Sequence, residues 1–381
     1  MIKKIFPILG LAIFSSLLGA GIVAPLLPLY AETLGASGVW LGVIFAVFSI
    51  SNAISTPIFS RLSDRVDRKL IISIGLLLYT IISLGLVWAD DIFQLIIVRF
   101  LHGMAGGMIL PVAQAYIGDV CPEGEEGKWM GYANAAFFTG FGFGPFMGGT
   151  LTEQFGMELA FFSMSGLNLL AFLVVAFFLP GSGHRISALG PHLSFREAGA
   201  SDVVRGLFSF RLTFALGRSV FMVFVPIFAA MYLGLSPSLT GILLTTQVML
   251  YSLLGIPSGR LLSDRFNRRL LIVIGGIITA VFLALIPAMD SFWQLLVLVV
   301  LGSLGGAIAL PAASALTVEE GRKFGMGSVI AIFSIAFSIG MATGPIVSGV
   351  IRDLVGISAV FYFGAAIILA GTVLYIWFTK Q

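Results

Sequence analysis

The sequence predicts an all-α polytopic membrane protein of twelve spanning helices in two pseudo-symmetric six-helix halves. Three observations carry this: long apolar runs, a repeat at an offset of 200 residues, and the sidedness of the basic residues. At 381 residues the chain is 58% hydrophobic and 10% charged, with a mean hydropathy of +1.07, whereas soluble domains carry about 25% charged residues. The segment Ser63-Asp64-Arg65-Val66-Asp67-Arg68-Lys69-Leu70 returns as Ser263-Asp264-Arg265-Phe266-Asn267-Arg268-Arg269-Leu270. The same offset pairs Pro57 with Pro257, Asp90 with Asp290, Gln94 with Gln294, Gly106 with Gly306, Pro111 with Pro311, Gly144-Pro145 with Gly344-Pro345, Gly149 with Gly349 and Gly156 with Gly356. A register held without gaps over that length means one unit was duplicated.

A span needs roughly 20 apolar residues, and twelve runs serve. Those of the first half lie at 6–31, 38–60, 69–88, 93–117, 128–152 and 159–179. The first follows Met1-Ile2-Lys3-Lys4 and imitates a signal peptide, but it runs on to Pro25 and Pro28 without a small-residue cleavage pattern, so it reads as a span. The second and third flank the charged segment, the fourth follows Asp90-Asp91, the fifth is rich in glycine, and the sixth closes the half. Residues 180–207, opening Pro180-Gly181-Ser182-Gly183-His184-Arg185, are the polar linker, and Ser194-Phe195-Arg196-Glu197-Ala198 predicts a short helix on the inner membrane surface. The second half repeats the order at 208–233, 238–260, 270–288, 293–317, 324–350 and 357–378. The expected domains are therefore 1–179, the linker 180–207, and 208–381. The 46 glycines suit close packing between membrane helices.

With the N-terminus inside, the 21 Lys and Arg fall at or near the cytoplasmic side, except for Arg99 and Arg218 within spans and Arg352 outside. Glu32, Asp90, Asp91, Glu153, Glu158, Asp290 and Asp353 lie opposite. This asymmetry predicts a multi-pass protein of the cell membrane with both termini cytoplasmic. The pI of 9.1 then reflects topology; nucleic-acid binding would need a clustered basic and aromatic surface. A single cysteine, Cys121, excludes an internal disulfide. The linker residues His184 and His192 lack acidic or Cys partners at ligand spacing, so no metal is expected. No G-x-x-x-x-G-K-[ST] pattern is present, no cofactor is expected, and no constellation points to enzyme chemistry.

The repeated Asp-Arg-x-x-Arg-(Lys/Arg) segment joins the second and third spans of each half. With the twelve-span layout it resembles motif A of the major facilitator superfamily, roughly Gly-x-Leu-x-Asp-Arg-x-Gly-Arg-Arg, and the resemblance covers essentially the whole chain. Leu62, Asp64, Arg65, Arg68 and Lys69 match in the first copy, with Ser60 and Asp67 in place of the glycines. Leu262, Asp264, Arg265, Arg268 and Arg269 match in the second, with Arg260 and Asn267 there. The lost glycines predict a less compact turn. A carboxylate against the positive N-terminus of another helix is worth about 0.3–1 kcal/mol when exposed, enough to bias one conformer. The resemblance implies a conformational switch in Asp64, Arg65, Arg68, Lys69, Asp119, Asp264, Arg265 and Arg268. Asp64 would face the start of the eleventh span near residues 324–328, and Arg68 would reach Asp119 at the end of the fourth. Enforcement of topology explains Arg65, Lys69 and Arg269 equally well.

The fifth span reads Gly140-Phe141-Gly142-Phe143-Gly144-Pro145-Phe146-Met147-Gly148-Gly149. Through Gly140, Gly144, Pro145, Gly148 and Gly149 it is similar to motif C, the antiporter signature of the family's exporters. Glycines on one face followed by Pro offer a flat packing surface and a kink. Gly340, Gly344, Pro345 and Gly349 keep part of the pattern. The fourth span, with Arg99 and His102 before Gly103, Gly106 and Gly107, resembles motif B. An arginine inside a span rarely faces lipid, and His102 follows it three positions on, on the same helical face. Proton coupling is expected from Glu32, at the end of the first span, from Arg99 with His102, or from Asp119.

Substrate contact is expected from Arg218, Tyr30, Asn52, Gln114, Asn134, Gln247 and Tyr251, any of which can instead bond neighbouring helices. Parallel repeats with a site between them near the bilayer midplane are a plan of secondary transporters. The expected function is alternating-access, proton-coupled efflux of amphipathic or drug-like small molecules. Three alternatives stay open: anionic or lipid-like substrates, which an aromatic cavity holding Arg99 and Arg218 would attract, uncoupled facilitation of a nutrient by the same fold, and a non-transporting membrane scaffold, against which the retained Asp-Arg segment argues. The expected partners are a small-molecule substrate, protons and membrane lipid, without nucleic acid, and the chain is expected to act as a monomer.

Overall fold

A computed structural model describes residues 2–122, 125–181, 199, 201–258, 265–324 and 326–380. The described residues form twelve long helices and no strand. These are α1 Ile2–Thr33, α2 Gly38–Ser63, α3 Arg68–Leu84, α4 Ile92–Val120, α5 Glu126–Phe155, α6 Met157–Phe178, α7 Asp202–Leu233, α8 Pro237–Ser258, α9 Arg268–Leu285, α10 Phe292–Phe324, α11 Met326–Val355 and α12 Ile357–Phe378. Ten of them are long and apolar enough on their own to cross a membrane. The other two are α3, of 17 residues, and the glycine-rich α5. Large apolar side chains such as Ile81, Phe93, Phe177, Trp293 and Trp377 point outward, the exterior expected of a protein solvated by lipid.

The repeat is visible in how helices start and join. Asp67 accepts a hydrogen bond from the Lys69 amide at the start of α3, and Asn267 accepts one from the Arg269 amide at the start of α9, each at 2.9 Å. The residues that replace the expected glycines therefore act as N-caps. Gln94 and Gln294 each reach back to the amide of Asp90 or Asp290, both at 2.9 Å, a close variant of the capping box. Gly156 at φ 90° and Gly356 at φ 109° are the single-residue joints between α5 and α6 and between α11 and α12, where a side chain would be strained.

In the first half α1 packs on α5 and α6, and α3 on α4 and α6; in the second α7 packs on α11 and α12, and α9 on α10 and α12. By packing, the chain forms two compact units. One is Met1–Ala36 and Val47–Leu189 with Ser236–Thr245; the other is Gly190–Leu235 and Thr246–Gln381 with Ser37–Ala46. Each unit thus takes in the opening turns of one helix, α8 or α2, that the sequence assigns to the opposite half.

Candidate functional site

Three arrangements place the chemistry-bearing residues. In the first, Arg68 opens α3 with its side chain 7% exposed, and its Nε lies 2.7 Å from Asp119 Oδ2 at the end of α4. Its Nη2 lies 3.3 Å from Asp64 Oδ1 and 3.3 Å from Asp119 Oδ1. One guanidinium fork therefore ties α4 and the α2–α3 turn to the start of α3. Arg65 is exposed and Lys69 half-buried. In the second half Arg268 Nη1 meets Glu319 Oε2 at 3.1 Å, with the two side chains 33% and 51% exposed. Glu319 sits 200 positions from Asp119, so the repeat offset was the signal that finds it. Arg269 Nη1 donates to the Thr379 carbonyl at 2.7 Å, and Arg265 is exposed. Asp264, residue 325 and the side chains of residues 326–328 lie outside the described residues, as do His184, His192 and the short linker helix.

The second arrangement is a backbone seam. Gly140, Gly144 and Gly148 of α5 face α1, where a Cβ would meet the backbone of Phe14, Gly21 and Ile22 respectively; one at Gly149 would meet the Pro237 carbonyl at the start of α8. Pro145 lies in this stretch, and the amide of Phe146 beside it donates to Thr245 Oγ1 at 3.0 Å. On α11 a Cβ at Gly344 would meet the Ser219 side chain and Leu216, and one at Gly340 the Leu212 carbonyl and Ala215.

The third arrangement is the set of arginines inside the spans. Arg99 is 6% exposed, and its Cζ lies 4.2 Å from the centroid of the Phe48 ring, a cation–π contact. His102, fully buried on α4, packs against α3: its Nε2 is 3.2 Å from Ser83 Oγ and its ring centroid 4.7 Å from that of Tyr79. Arg218 of α7 lines a small cavity of about 10 Å3, measured for the centre of a water-sized sphere, about enough for one water. Gln247, Tyr251, Thr279 and Phe282 share its wall, and Arg218 Cζ lies 5.9 Å from the centre of the Tyr251 ring. Arg211, seven residues earlier on α7, packs on Phe333 and Phe337 at 4.8 and 4.5 Å. Sequence reasoning assigned Arg211 to the membrane surface; its spacing from Arg218 along one helix was the available signal.

The remaining candidates lie elsewhere. Asn52 donates to the Gly103 carbonyl at 3.1 Å, tying α2 to α4. The Tyr30 hydroxyl donates to the Ala89 carbonyl at 2.7 Å. Glu32 is half-buried on the last turn of α1, Gln114 half-buried on α4, and Asn134 exposed on α5. A buried acid that sequence reasoning passed over, Glu320, is 4% exposed at the end of α10. It accepts from Ser201 Oγ at 2.9 Å and from Lys323 Nζ at 2.7 Å, which holds the lysine above its ordinary range. Each described Asp and Glu lies at a helix end or in a turn; none is midway along a span.

Comparison with known proteins adds the relatives. The Major Facilitator Superfamily model matches residues 9–206 and again 207–381. The quinolone resistance protein NorA of Staphylococcus aureus is 27% identical over 380 residues, covering 98% of this chain and 96% of the relative. The multidrug resistance protein MdtG of Salmonella arizonae is 28% identical over 377 residues, 94% of this chain and 91% of the relative. Among solved structures, a bacterial homolog of the human lysosomal transporter Spinster superposes with a TM-score of 0.84 over 99% of this chain and 97% of the other, at 15% identity.

Proposed function

Because the chain belongs to the major facilitator superfamily and is a multi-pass membrane transporter, we propose that it exports amphipathic, drug-like small molecules in exchange for protons by alternating access. The observation that carries the export reading is the seat of α5 on α1. The complete glycine face resembling the exporters' motif is filled by backbone of the neighbouring helix, beside Pro145. The Arg68 fork supports the switching role of the Asp-Arg segment, since it couples the turn, α3 and α4 through one buried cation. Resistance proteins among the relatives support the substrate class. Glu32 is the proton carrier in this reading: it is half-buried on α1 and open to exchange, whereas His102 is sealed between α3 and α4.

The test is transport in proteoliposomes under an imposed pH gradient, with a cationic amphipathic dye as substrate. Dye should move against protons and stop when the gradient is dissipated; flux indifferent to the gradient overturns the exchange. Glu32→Gln should abolish proton movement while His102→Gln keeps it, and the reverse result would reassign the carrier.

A second reading is favoured by Arg218. It lies over the Tyr251 ring in the cavity wall, and a cation in a low-dielectric wall attracts anions. An anionic dye run beside the cationic one separates the two substrate classes.

A further inference from the structure

We infer that Glu153 and Asp353 are a matched pair of releasable locks that hold the opening turns of α8 and α2, and that both must let go for the transporter to open at the end away from its Asp-Arg segments. The inference rests on alternating access as proposed above; it goes beyond it in naming bonds that opening must release.

In one unit, Glu153 lies in the last turn of α5, four residues after Gly149, and its Oε2 accepts from the Ser238 amide at 3.1 Å, across 85 residues of chain. Pro237 occupies the first position of α8 and has no N–H, so Ser238 is the first amide of the helix able to donate. Ser236 Oγ takes the next, from Leu239, at 3.4 Å. Hydrogen bonds from Ser238 and Ser236 hold the Glu153 carboxyl below its usual range. In the other unit the same construction recurs. Asp353 Oδ1 accepts from the Gly38 amide at 2.7 Å and Oδ2 from the Val39 amide at 3.0 Å, more than 300 residues away in sequence.

Both the positions and the surroundings match. Residues 153 and 353, and 38 and 238, differ by the repeat offset of 200. Beside each carboxylate a glycine of the same helix, Gly149 or Gly349, presses on the backbone at the helix start. One further turn in, Gly241 presses on the Pro145 carbonyl and Gly42 on the Pro345 carbonyl. A helix is ordinarily capped by its own preceding residue; here an acid from a distant helix does so, and does so twice. The opening turns of α8 and α2 each pack in the unit built from the opposite half. The carboxylates are exposed, so each bond is weak enough to break and re-form within a transport cycle.

The test measures opening directly, apart from substrate or protons. Spin labels are placed by Gln154→Cys and Leu235→Cys in a Cys121→Ser background, and the population of the longer distance is read by pulsed dipolar spectroscopy. Glu153→Ala and Asp353→Ala should each raise that population about 2- to 5-fold, and together by the product. Glu153→Gln and Asp353→Asn, which keep an acceptor and lose the charge, should fall between wild type and alanine and also guard against misfolding. Populations unchanged in all variants of a chain that still transports would overturn the locks. A shift in populations without proton-driven flux would keep the locks and sink the proposed proton exchange.

Discussion

The two halves repeat their seams and helix caps position by position, but not their interior charges. Arg99 of α4 answers to Val299, Phe48 to Val248 and His102 to Gly302; Arg218 of α7 answers to Leu18, Gln247 to Val47 and Tyr251 to Ser51. Where the first half holds the polar set of Tyr79, Ser83 and His102, the second has Thr279, Leu283 and Gly302, with Phe282 filling the place beside the glycine. Helix joints and caps meet the same geometric demand in each copy, so their residues stayed paired. A charge inside the membrane costs several kcal/mol wherever it has no task, so each half kept its arginine on a different helix. What is duplicated is the helix scaffold, and what is not is its interior charge.

The largest expected effect breaks the comparison at the seam between α1 and α5. A Cβ at Gly144 would meet the backbone of Gly21, which cannot rotate away, whereas the nearest atom to one at Gly344 is the Ser219 hydroxyl, which can, ahead of Leu216. Gly144→Val should therefore cost roughly 3 kcal/mol or more by overpacking and abolish transport, and Gly344→Val should cost about half as much. Thermal unfolding in detergent with parallel flux measurements decides it. Equal losses would mean that the two seams are mechanically the same and that the complete glycine pattern of α5 carries no extra function.

Next in size is the arginine that opens α3 against the one that opens α9. Arg68 is nearly enclosed between two carboxylates, and its loss strands Asp119, itself only 27% exposed. Arg68→Ala should cost roughly 1–3 kcal/mol, the range for losing charged hydrogen bonds that are mostly shielded from water. Arg268→Ala breaks an exposed pair with Glu319 and should cost under about 0.5 kcal/mol. A double-mutant cycle of Arg68 with Asp119, set against one of Arg268 with Glu319, reads both couplings; comparable values would remove the inequality between the copies.

Most of the frame was legible in the sequence because it is written at short range or repeated. Apolar length located the helices, and the offset of 200 paired Gly156 with Gly356 and Gln94 with Gln294 before their roles as joint and cap were visible. The glycine substitutions in the Asp-Arg segments predicted a looser turn, when Asp67 and Asn267 in fact cap the next helix, a role open to Asp and Asn but not to a side chain that glycine lacks. The carboxylate bonds of Glu153 and Asp353 bridge distant parts of the chain, and no local periodicity encodes such a contact. His102 was read as an exchangeable group because residue type reveals nothing about enclosure; Tyr79 and Ser83 of α3 provide it. Arg218, Gln247 and Tyr251 stand among seven residues expected to contact substrate, and the fold brings these three to one wall while Asn52 and Tyr30 bond neighbouring backbone.

That wall supplies the next prediction, about the unrepeated chemistry. Arg218→Gln should reduce kcat/KM for an anionic substrate about tenfold, near 1.4 kcal/mol of lost attraction, and leave a cationic dye within about twofold. Arg99→Gln removes a cation already stacked on Phe48 and should impair both substrates alike, through packing rather than selectivity. If Arg218→Gln weakens both dyes equally, the arginine of α7 is structural and the unrepeated charge carries no selectivity in the second half.

The smallest effect is the most exacting for the comparison, because equality is expected. Asp67 and Asn267 make the same bond at the same length, 2.9 Å to the amide two residues on, and they differ in charge. Removing an N-cap costs about 0.5–2 kcal/mol, so Asp67→Ala and Asn267→Ala should lower stability by similar amounts and speed amide exchange in the first turns of α3 and α9 alike. Asp67→Asn should then be nearly silent in stability. Were it instead to cost as much as Asp67→Ala, the negative charge rather than the cap would matter. The first copy of the segment would then hold a third carboxylate acting with Asp64 and Asp119 around Arg68, and the two copies would differ in electrostatics at a position where their geometry is the same.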